Sequence, residues 1–195
     1  MLHFSEAAEK NKNHILLVLQ DRLPPNGHVL EIGSGSGQHA LHMGAKMKSI
    51  YWQPTERSEG MLDLAKNLSD YGSSNILAPL MLDLSLEQWP NANTNCVYAA
   101  NVMHIVNKNL GENLIRGAGK NLSQGGLLIF YGPYKYDGDF TTQSNAEFDA
   151  WLKERDPHSG IRDFEWVADL ANQQGLQLQD DLPMPANNQI LIFQR

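Results

Sequence analysis

The stretch "HVLEIGSGSGQHA", residues 28–40, decides the fold. A short apolar run predicts a buried strand, which ends in three glycines at alternate positions, Gly33, Gly35 and Gly37, before a helical pattern begins. A glycine-rich turn between a strand and a helix lets a ligand approach the backbone closely. The stretch therefore predicts a nucleotide-type ligand at the end of the first strand of an α/β fold.

The chain as far as residue 134 alternates between predicted strands and helices. Strands are predicted in HVLEIG, SIYWQPTE, NILAPLMLDL, NCVYAANVMHI and GLLIFYGPY, and helices in SEAAEKNKNHILLVLQDRL, QHALHMGAKM, SEGMLDLAKNLSDYG and GENLIRGAGKNL. Pro24 and Pro25 end the first helix, while Ser58 and Gly72 are the expected caps of the third. Short loops and strands without polar alternation predict a mostly parallel sheet with helices on both faces.

The C-terminal part of the chain, after residue 134, does not continue the alternation of strand and helix. A longer loop is expected from Lys135 to Asn145, followed by the helices AEFDAWLKER and DFEWVADLANQQG. The strands LQLQDDLPM and NQILIFQR are separated only by PANN, too short for a crossover, so they pair antiparallel. The predicted fold class is α/β and Rossmann-like: a seven-stranded, mostly parallel sheet with an antiparallel C-terminal hairpin. The length suits one domain, 1–195, with an N-terminal helix at 1–24.

Composition narrows the function classes. The net charge of −7 disfavours a surface that binds nucleic-acid phosphates. No apolar run is long enough to span a membrane, and the polar N-terminus is not a signal peptide, so a cytoplasmic location is expected. Cys96, the single cysteine, excludes an internal disulfide and is expected to be buried.

The ligand is a choice between a dinucleotide and S-adenosylmethionine. Gln38 stands where the dinucleotide fingerprint has its last glycine, and no P-loop lysine follows the glycines. Glu56, at the end of the second strand, can accept both ribose hydroxyls of either ligand. Asp83, after the third strand, can accept from an adenine amino group, and the Leu84 amide can reach a ring nitrogen. The terminal hairpin favours the methyl donor, since it is typical of class I methyltransferases.

Several blocks carry a closer resemblance. They are FSEAAEKNKNHIL, VLEIGSGSGQHA, WQPTE, ANVMHI, YGPY, QSNAEFD and MPANNQILIF, and together they resemble the methyltransferase-like protein 26 family from about Ser5 to Phe193. The resemblance implies a class I fold and a methyl donor, and no known acceptor. It also makes the N-terminal segment a possible lid over the donor, where composition alone indicates a solvated helix.

Donor-binding residues follow from these motifs. Glu31 can orient the glycine turn or simply satisfy backbone groups, and His39 can touch the donor. The predicted donor set is Glu31, Gly33, Ser34, Gly35, Gly37, His39, Glu56, Asp83, Leu84 and Asn101. His39 and His42 have a spacing that can serve a metal, but nearby ligands are missing, so no metal is expected.

Acceptor residues are sought after the fourth and fifth strands. Asn101 can fix the acceptor or the donor, and His104 can act as a base or simply pack at a helix start. Tyr131 and Tyr134 can form a pocket wall or belong to the core. The predicted catalytic set is His104, Asn101, Tyr131 and Tyr134, and the predicted substrate set is Asn11, Tyr134, Gln143, Asn145 and Asn187. The neighbouring Ser144 can cap the helix that follows it, and Asn187 can serve a tight turn instead of the substrate.

Three functions remain open at this point. The first is an S-adenosylmethionine-dependent methyltransferase acting on a small molecule, with a protein side chain as another possible acceptor. The second is a catalytically silent S-adenosylmethionine-binding module that works through a partner. The third is an NAD(P)-dependent oxidoreductase, disfavoured by Gln38 and by the hairpin.

Overall fold

A computed structural model describes residues 1–90 and 94–195. The helices in this part of the chain are α1 (Glu6–Arg22), α2 (Gln38–Lys46), α3 (Met61–Tyr71), α4 (Lys108–Asn121), α5 (Gln143–Arg155) and α6 (Phe164–Gln173). The strands are β1 (His28–Glu31), β2 (Tyr51–Glu56), β3 (Leu80–Met81), β4 (Thr94–Ala100), β5 (Leu122–Gly132), β6 (Tyr134–Tyr136), β7 (Asp139–Phe140), β8 (Arg162–Asp163), β9 (Gln177–Met184) and β10 (Asn188–Gln194).

Seven strands form the main sheet in the order β3-β2-β1-β4-β5-β10-β9. The pairs from β3 to β5 are parallel, whereas β10 is antiparallel to both β5 and β9. The predicted fold class is confirmed, including the C-terminal hairpin. Strand order reverses between β1 and β4, so the carboxyl ends of these two strands border the crevice where open α/β sheets bind ligands.

Two apolar layers cover the sheet. One face packs Leu30, Val97 and Phe130 against α4 and α6. The other face packs Val29, Trp52 and neighbouring residues against α1, α2 and α3. Burying each large apolar side chain contributes about 1.5–3 kcal/mol, which explains why the central strands carry apolar residues on both faces.

The segment after β5 is more ordered than the sequence indicates. Residues 135–145 were expected to be a loop, but they contain part of a small sheet, in the order β7-β6-β8, and the start of α5. Two- and three-residue strands give too short a pattern for periodicity to detect. This sheet holds α5 close to the carboxyl ends of β4 and β5, where Asn145 bonds to the terminal hairpin.

Several predicted boundaries were wrong for local reasons. Gly60, not Ser58, precedes α3, because the Ser58 hydroxyl donates to Glu59 instead. The third strand is only two residues long, and the fourth ends at Ala100 because Asn101 adopts a left-handed φ of 58°. Thr142, not Ser144, caps α5.

Other boundaries agree with the sequence. Helix α1 ends at Arg22, directly before Leu23 and the two prolines, and α3 ends at Tyr71 with Gly72 as its C-cap. Cys96 is fully buried, and burial raises the pKa of its thiol. No helix in the described part of the chain is long and apolar enough to cross a membrane.

Candidate functional site

The glycine turn joins β1 to α2 at the carboxyl edge of the sheet. Gly33, Gly35 and Gly37 all have left-handed φ values, of 66°, 56° and 81°. A Cβ on Gly37 would lie 2.9 Å from Leu64, and one on Gly33 would lie 3.1 Å from Val102, whereas one on Gly35 would meet nothing within 4 Å. The outer two glycines therefore serve packing as well as conformation, and Gly35 leaves open space at the exposed surface of the turn.

Glu31 lies beneath this turn, in the core. Its Oε2 accepts a 2.8 Å hydrogen bond from Trp52 Nε1, and its carbonyl accepts from the Thr55 hydroxyl. Ser34 links the turn to β2, because its N–H donates to the carbonyl of Thr55 in that strand. Burial raises the pKa of Glu31 to about 7. This placement puts its carboxyl group away from solvent, and its predicted role in orienting the glycine turn stays a prediction.

Glu56 ends β2 beside the turn and is half-buried. Its Oε2 accepts a 2.7 Å hydrogen bond from Gly35 N, and its Oε1 accepts from Arg57 N. The carboxylate therefore lies next to the open space at Gly35. A carboxylate in that position can accept hydrogen bonds from hydroxyl groups, and its role in binding ribose stays a prediction.

Asp83 and Leu84 follow β3 on the same edge. Asp83 is exposed, and its Oδ1 accepts from Ser85 N, which leaves the second carboxylate oxygen free for another donor. The Leu84 side chain is buried, while its N–H has no protein acceptor within residues 1–90 and 94–195. Asp83 and Leu84 thus offer one acceptor beside one unused donor.

Asn101 lies at the carboxyl end of β4, where its N–H donates to the Tyr131 carbonyl at 2.8 Å. Its left-handed backbone turns the chain out of the sheet directly after β4. It is half-buried and lines a cavity, and the next residue, Val102, lies against the glycine turn, since a Cβ on Gly33 would be 3.1 Å from its side chain. Asn101 therefore connects the predicted donor edge with a second space.

That second space is a cavity of about 460 Å³ between α1, β5, α5 and the terminal hairpin. Three of the predicted site residues, Asn11, Tyr131 and Asn145, line it together with Asn101. The full lining is Ala7, Lys10, Asn11, His14, Asn101, Tyr131, Pro133, Ser144, Asn145, Phe148, Pro185, Ala186 and Asn188. Its size and mixed lining suit a small molecule.

His39 connects α1 to the sheet beneath this cavity. Its Nε2 lies 2.7 Å from Asn11 Oδ1, and its Nδ1 lies 3.1 Å from the Tyr98 hydroxyl. Burial lowers its pKa to about 4, so the ring is neutral near pH 7. Both ring nitrogens are bonded to protein, which leaves His39 no polar atom for the donor contact predicted from sequence.

The N-terminal segment is also hydrogen-bonded to Gln38, next to the glycine turn, and to Asn67, which in turn bonds the turn. Ser5 N donates to Gln38 Oε1 at 2.5 Å, and Gln38 Nε2 donates to the Ser5 carbonyl. Asn67 bonds both backbone polar groups of Leu2 and also donates to the Ser36 carbonyl. These bonds make residues 1–11 part of the wall around the site.

Four predicted acceptor residues do not line the cavity. Tyr134 is buried in the core, Gln143 is exposed and bonds to Glu147, and Asn187 is exposed, with its carbonyl accepting from Asn145. His104 is buried behind Gly132, packs edge-on against Phe148, and has its pKa lowered to about 4 by burial. Their placement gives no support to direct contact with an acceptor.

The cavity residues to which the sequence analysis gave no site role include Ala7, His14 and Phe148. A usable signal existed for two of them, because Ala7, Lys10 or Asn11, and His14 follow the three- and four-residue spacing of one helix face. Phe148 had no such signal, since its position depends on how the small sheet places α5.

A family model matches residues 2–195, and it is described as "Protein of unknown function (DUF938)". The chain belongs to this family. Among solved structures, it is similar to the S-adenosylmethionine-dependent methyltransferase SibL, with a TM-score of 0.81 and 16% identity over 97% of this chain and 55% of that one.

Two further structures have the same fold. The mitomycin 7-O-methyltransferase MmcR gives a TM-score of 0.82 and 13% identity, covering 97% of this chain and 54% of that one. An O-methyltransferase family 2 protein from Planctomyces limnophilus, in complex with apigenin, gives 0.76 and 16%, covering 94% and 61%. The chain thus spans little more than half the length of the structures it matches, which share its fold.

Proposed function

We propose that this member of the family is an S-adenosylmethionine-dependent methyltransferase that acts on a small molecule. The observation that carries the proposal is that Asn101 lines a cavity of about 460 Å³, while the next residue, Val102, lies against the glycine turn, where a Cβ on Gly33 would be 3.1 Å from its side chain. A donor edge and an acceptor space that adjoin each other are what group transfer between two bound molecules requires. The fold shared with methyltransferases and the sequence blocks that resemble the methyltransferase-like protein 26 family support the same assignment.

The residues at the carboxyl edge fit the donor in chemical type. Glu56 would accept the ribose hydroxyls, Asp83 would accept from the adenine amino group, and Leu84 N–H would donate to a ring nitrogen. The open space at Gly35 admits the methionine end against the backbone. When bound, S-adenosylmethionine supplies a methyl group already activated by its sulfonium, and the chain contributes position and exclusion of water.

Thermal stability with added ligand tests the proposal. Saturation at about 100 times Kd adds about 2.7 kcal/mol, which raises Tm by several degrees for a chain of this size. We expect S-adenosylmethionine and S-adenosylhomocysteine to raise Tm, and NAD and NADP to leave it unchanged. A rise with NAD alone would contradict the proposal.

Transfer itself is tested with labelled donor and a metabolite extract. We expect label in at least one small molecule, and none with heat-denatured protein. Donor binding without transfer to any small molecule in the extract would instead support a silent binding module.

A further inference from the structure

The cavity beside Asn101 has a charge character unlike the rest of the chain. The protein has 22 acidic against 15 basic residues, yet none of the described residues lining this cavity is Asp or Glu. Lys10 lines it and forms no ion pair with a described residue, in contrast to Lys12, which pairs with Glu9. Electrostatics therefore favour a negatively charged occupant over a cationic one.

The hydrogen-bond chain behind the cavity fixes which polar groups face the occupant. Neutral His39 has one ring N–H, and Asn11 Oδ1 at 2.7 Å can only accept, so the proton is on Nε2. The Tyr98 hydroxyl then donates to Nδ1. Asn11 Oδ1 already accepts from His39, so the amide N–H groups are the donors that Asn11 can direct toward the cavity. The α1 side of the cavity thus presents donors and a cation.

The opposite side of the cavity, formed by α5 and the terminal hairpin, presents hydrogen-bond acceptors instead of donors. Both amide hydrogens of Asn145 are used, by Thr141 Oγ1 and the Asn187 carbonyl, and Asn188 Nδ2 donates to the carbonyls of Pro185 and Ala186. The amide oxygens of these two asparagines are left as acceptors. Between the two sides, Pro133 and Phe148 provide apolar surface.

From this arrangement, and resting on the proposed function, we infer that the methyl acceptor is a small organic oxyanion with an apolar body, a carboxylate or an acidic phenolate. Its charged oxygen lies toward Lys10, Asn11 and Tyr131, the side adjoining Asn101. Asn145 and Asn188 can accept from a hydroxyl at its far end.

Such an acceptor needs no general base, and Tyr131 and His104, two members of the predicted catalytic set, are not suited to be one. Tyr131 holds its proton, because burial raises its pKa, and His104 does not line the cavity. The lone pair of the oxyanion attacks the methyl carbon, the C–O bond forms as the S–CH₃ bond breaks, and the electron pair of that bond remains on sulfur. The products are a neutral ester or ether and S-adenosylhomocysteine, and no proton is released.

The test uses matched probes that share one ring: benzoate, 4-nitrophenolate, benzyl alcohol and benzylamine. Binding is measured by calorimetry with saturating S-adenosylhomocysteine, and transfer is measured with labelled S-adenosylmethionine. We expect benzoate or 4-nitrophenolate to bind and become methylated, with kcat for the active probe constant from pH 7.5 to 9, and the other two probes to do neither. Preference for benzylamine or benzyl alcohol, absence of oxyanion binding, or a kcat that rises with pH would overturn the inference.

Two variants test which side chains bind the charged oxygen of the acceptor. Lys10→Gln should weaken binding of the oxyanion about 5-fold or more, and Tyr131→Phe should also weaken it, while donor affinity stays unchanged in both. Lys66→Gln, an exposed lysine on α3 paired with Asp70, is the matched control and should behave as the unmodified protein. Unchanged oxyanion affinity in Lys10→Gln and Tyr131→Phe would overturn the assignment of this side. Failure of S-adenosylhomocysteine itself to bind would instead refute the proposed function.

Discussion

The glycine turn and the cavity beside it are built in different ways. The turn comes from one continuous stretch, and its shape is set by backbone angles that glycine adopts without strain. The cavity is assembled from α1, β5, α5 and the terminal hairpin, and side chains set its polarity. The two regions adjoin at consecutive residues, since Asn101 lines the cavity and Val102 lies against Gly33.

This difference separates two kinds of specificity. A ligand held against backbone depends on space and on a few fixed hydrogen bonds, so single substitutions in the turn should abolish binding or stability outright. A ligand held by side chains from four segments can change with those side chains while the fold stays the same. We therefore expect substitutions in the turn to act on the donor and substitutions in the cavity to act on the acceptor.

The largest effect is expected at Gly37, where the turn meets the core. In Gly37→Val, strain from the left-handed φ and a Cβ placed 2.9 Å from Leu64 should together lower the free energy of unfolding by about 4 kcal/mol. Urea denaturation measures this. Gly175→Val, at a left-handed glycine with no neighbour within 4 Å, carries the strain alone and should lose less. Equal losses would show that packing at Gly37 is unimportant.

Glu31 gives the region beneath the turn a distinct pH dependence. Its pKa of about 7 exceeds the ordinary value near 4.3, so the unfolded chain releases the proton first as pH rises. Stability is therefore lost between about pH 4.5 and 7, at up to about 1.4 kcal/mol per pH unit. Glu31→Gln should remove this loss, seen as a stability difference from the unmodified protein that grows with pH in urea titrations. A constant difference would contradict the account.

His104, behind the cavity wall, should act in the opposite direction. Its pKa is lowered to about 4, so as pH falls below about 6.5 the unfolded chain gains a proton that the folded chain does not. Stability is lost between about pH 6.5 and 4. In His104→Gln this acid-side loss should shrink by up to about 3 kcal/mol. If the loss of stability between about pH 6.5 and 4 were the same in His104→Gln as in the unmodified protein, His104 would have to be accessible to solvent.

A smaller effect is expected at Glu56. Glu56→Ala removes the carboxylate proposed to bind ribose, and a hydrogen bond to a charged group contributes about 1.5–3 kcal/mol. Affinity for S-adenosylhomocysteine should therefore fall by at least about 10-fold, as measured by calorimetry. Glu59→Ala removes an exposed carboxylate on the same loop and should leave affinity unchanged. Similar losses in both variants would indicate a general charge effect.

The same contrast explains what the sequence could predict. The sheet, its hairpin and the glycine turn follow from local patterns of apolar residues, glycines and loop lengths. Glu56, Asp83 and Asn101 follow because the carboxyl ends of parallel strands share one edge. These residues lie where the fold class alone would place them.

Residues in the cavity depend on contacts between segments that no local pattern encodes. Tyr131 and Tyr134 stand three apart around the end of β5 and look alike in sequence, yet one lines the cavity and the other is buried in the core. The two neighbouring asparagines of the hairpin are likewise separated, since Asn188 lines the cavity and Asn187 does not. His39 has a suitable position for a ligand contact, but its role follows only from its partners on α1 and β4.

The central claim is that the glycine turn holds the methyl donor, and calorimetric titration of S-adenosylhomocysteine into a pair of variants tests it most directly. Gly35 and Gly175 have left-handed φ values and open space where a Cβ would lie, so valine strains both equally. We predict that Gly35→Val loses at least about 100-fold in affinity, about 2.7 kcal/mol, while Gly175→Val binds as the unmodified protein does. A folded Gly35→Val that binds S-adenosylhomocysteine with undiminished affinity would contradict the account.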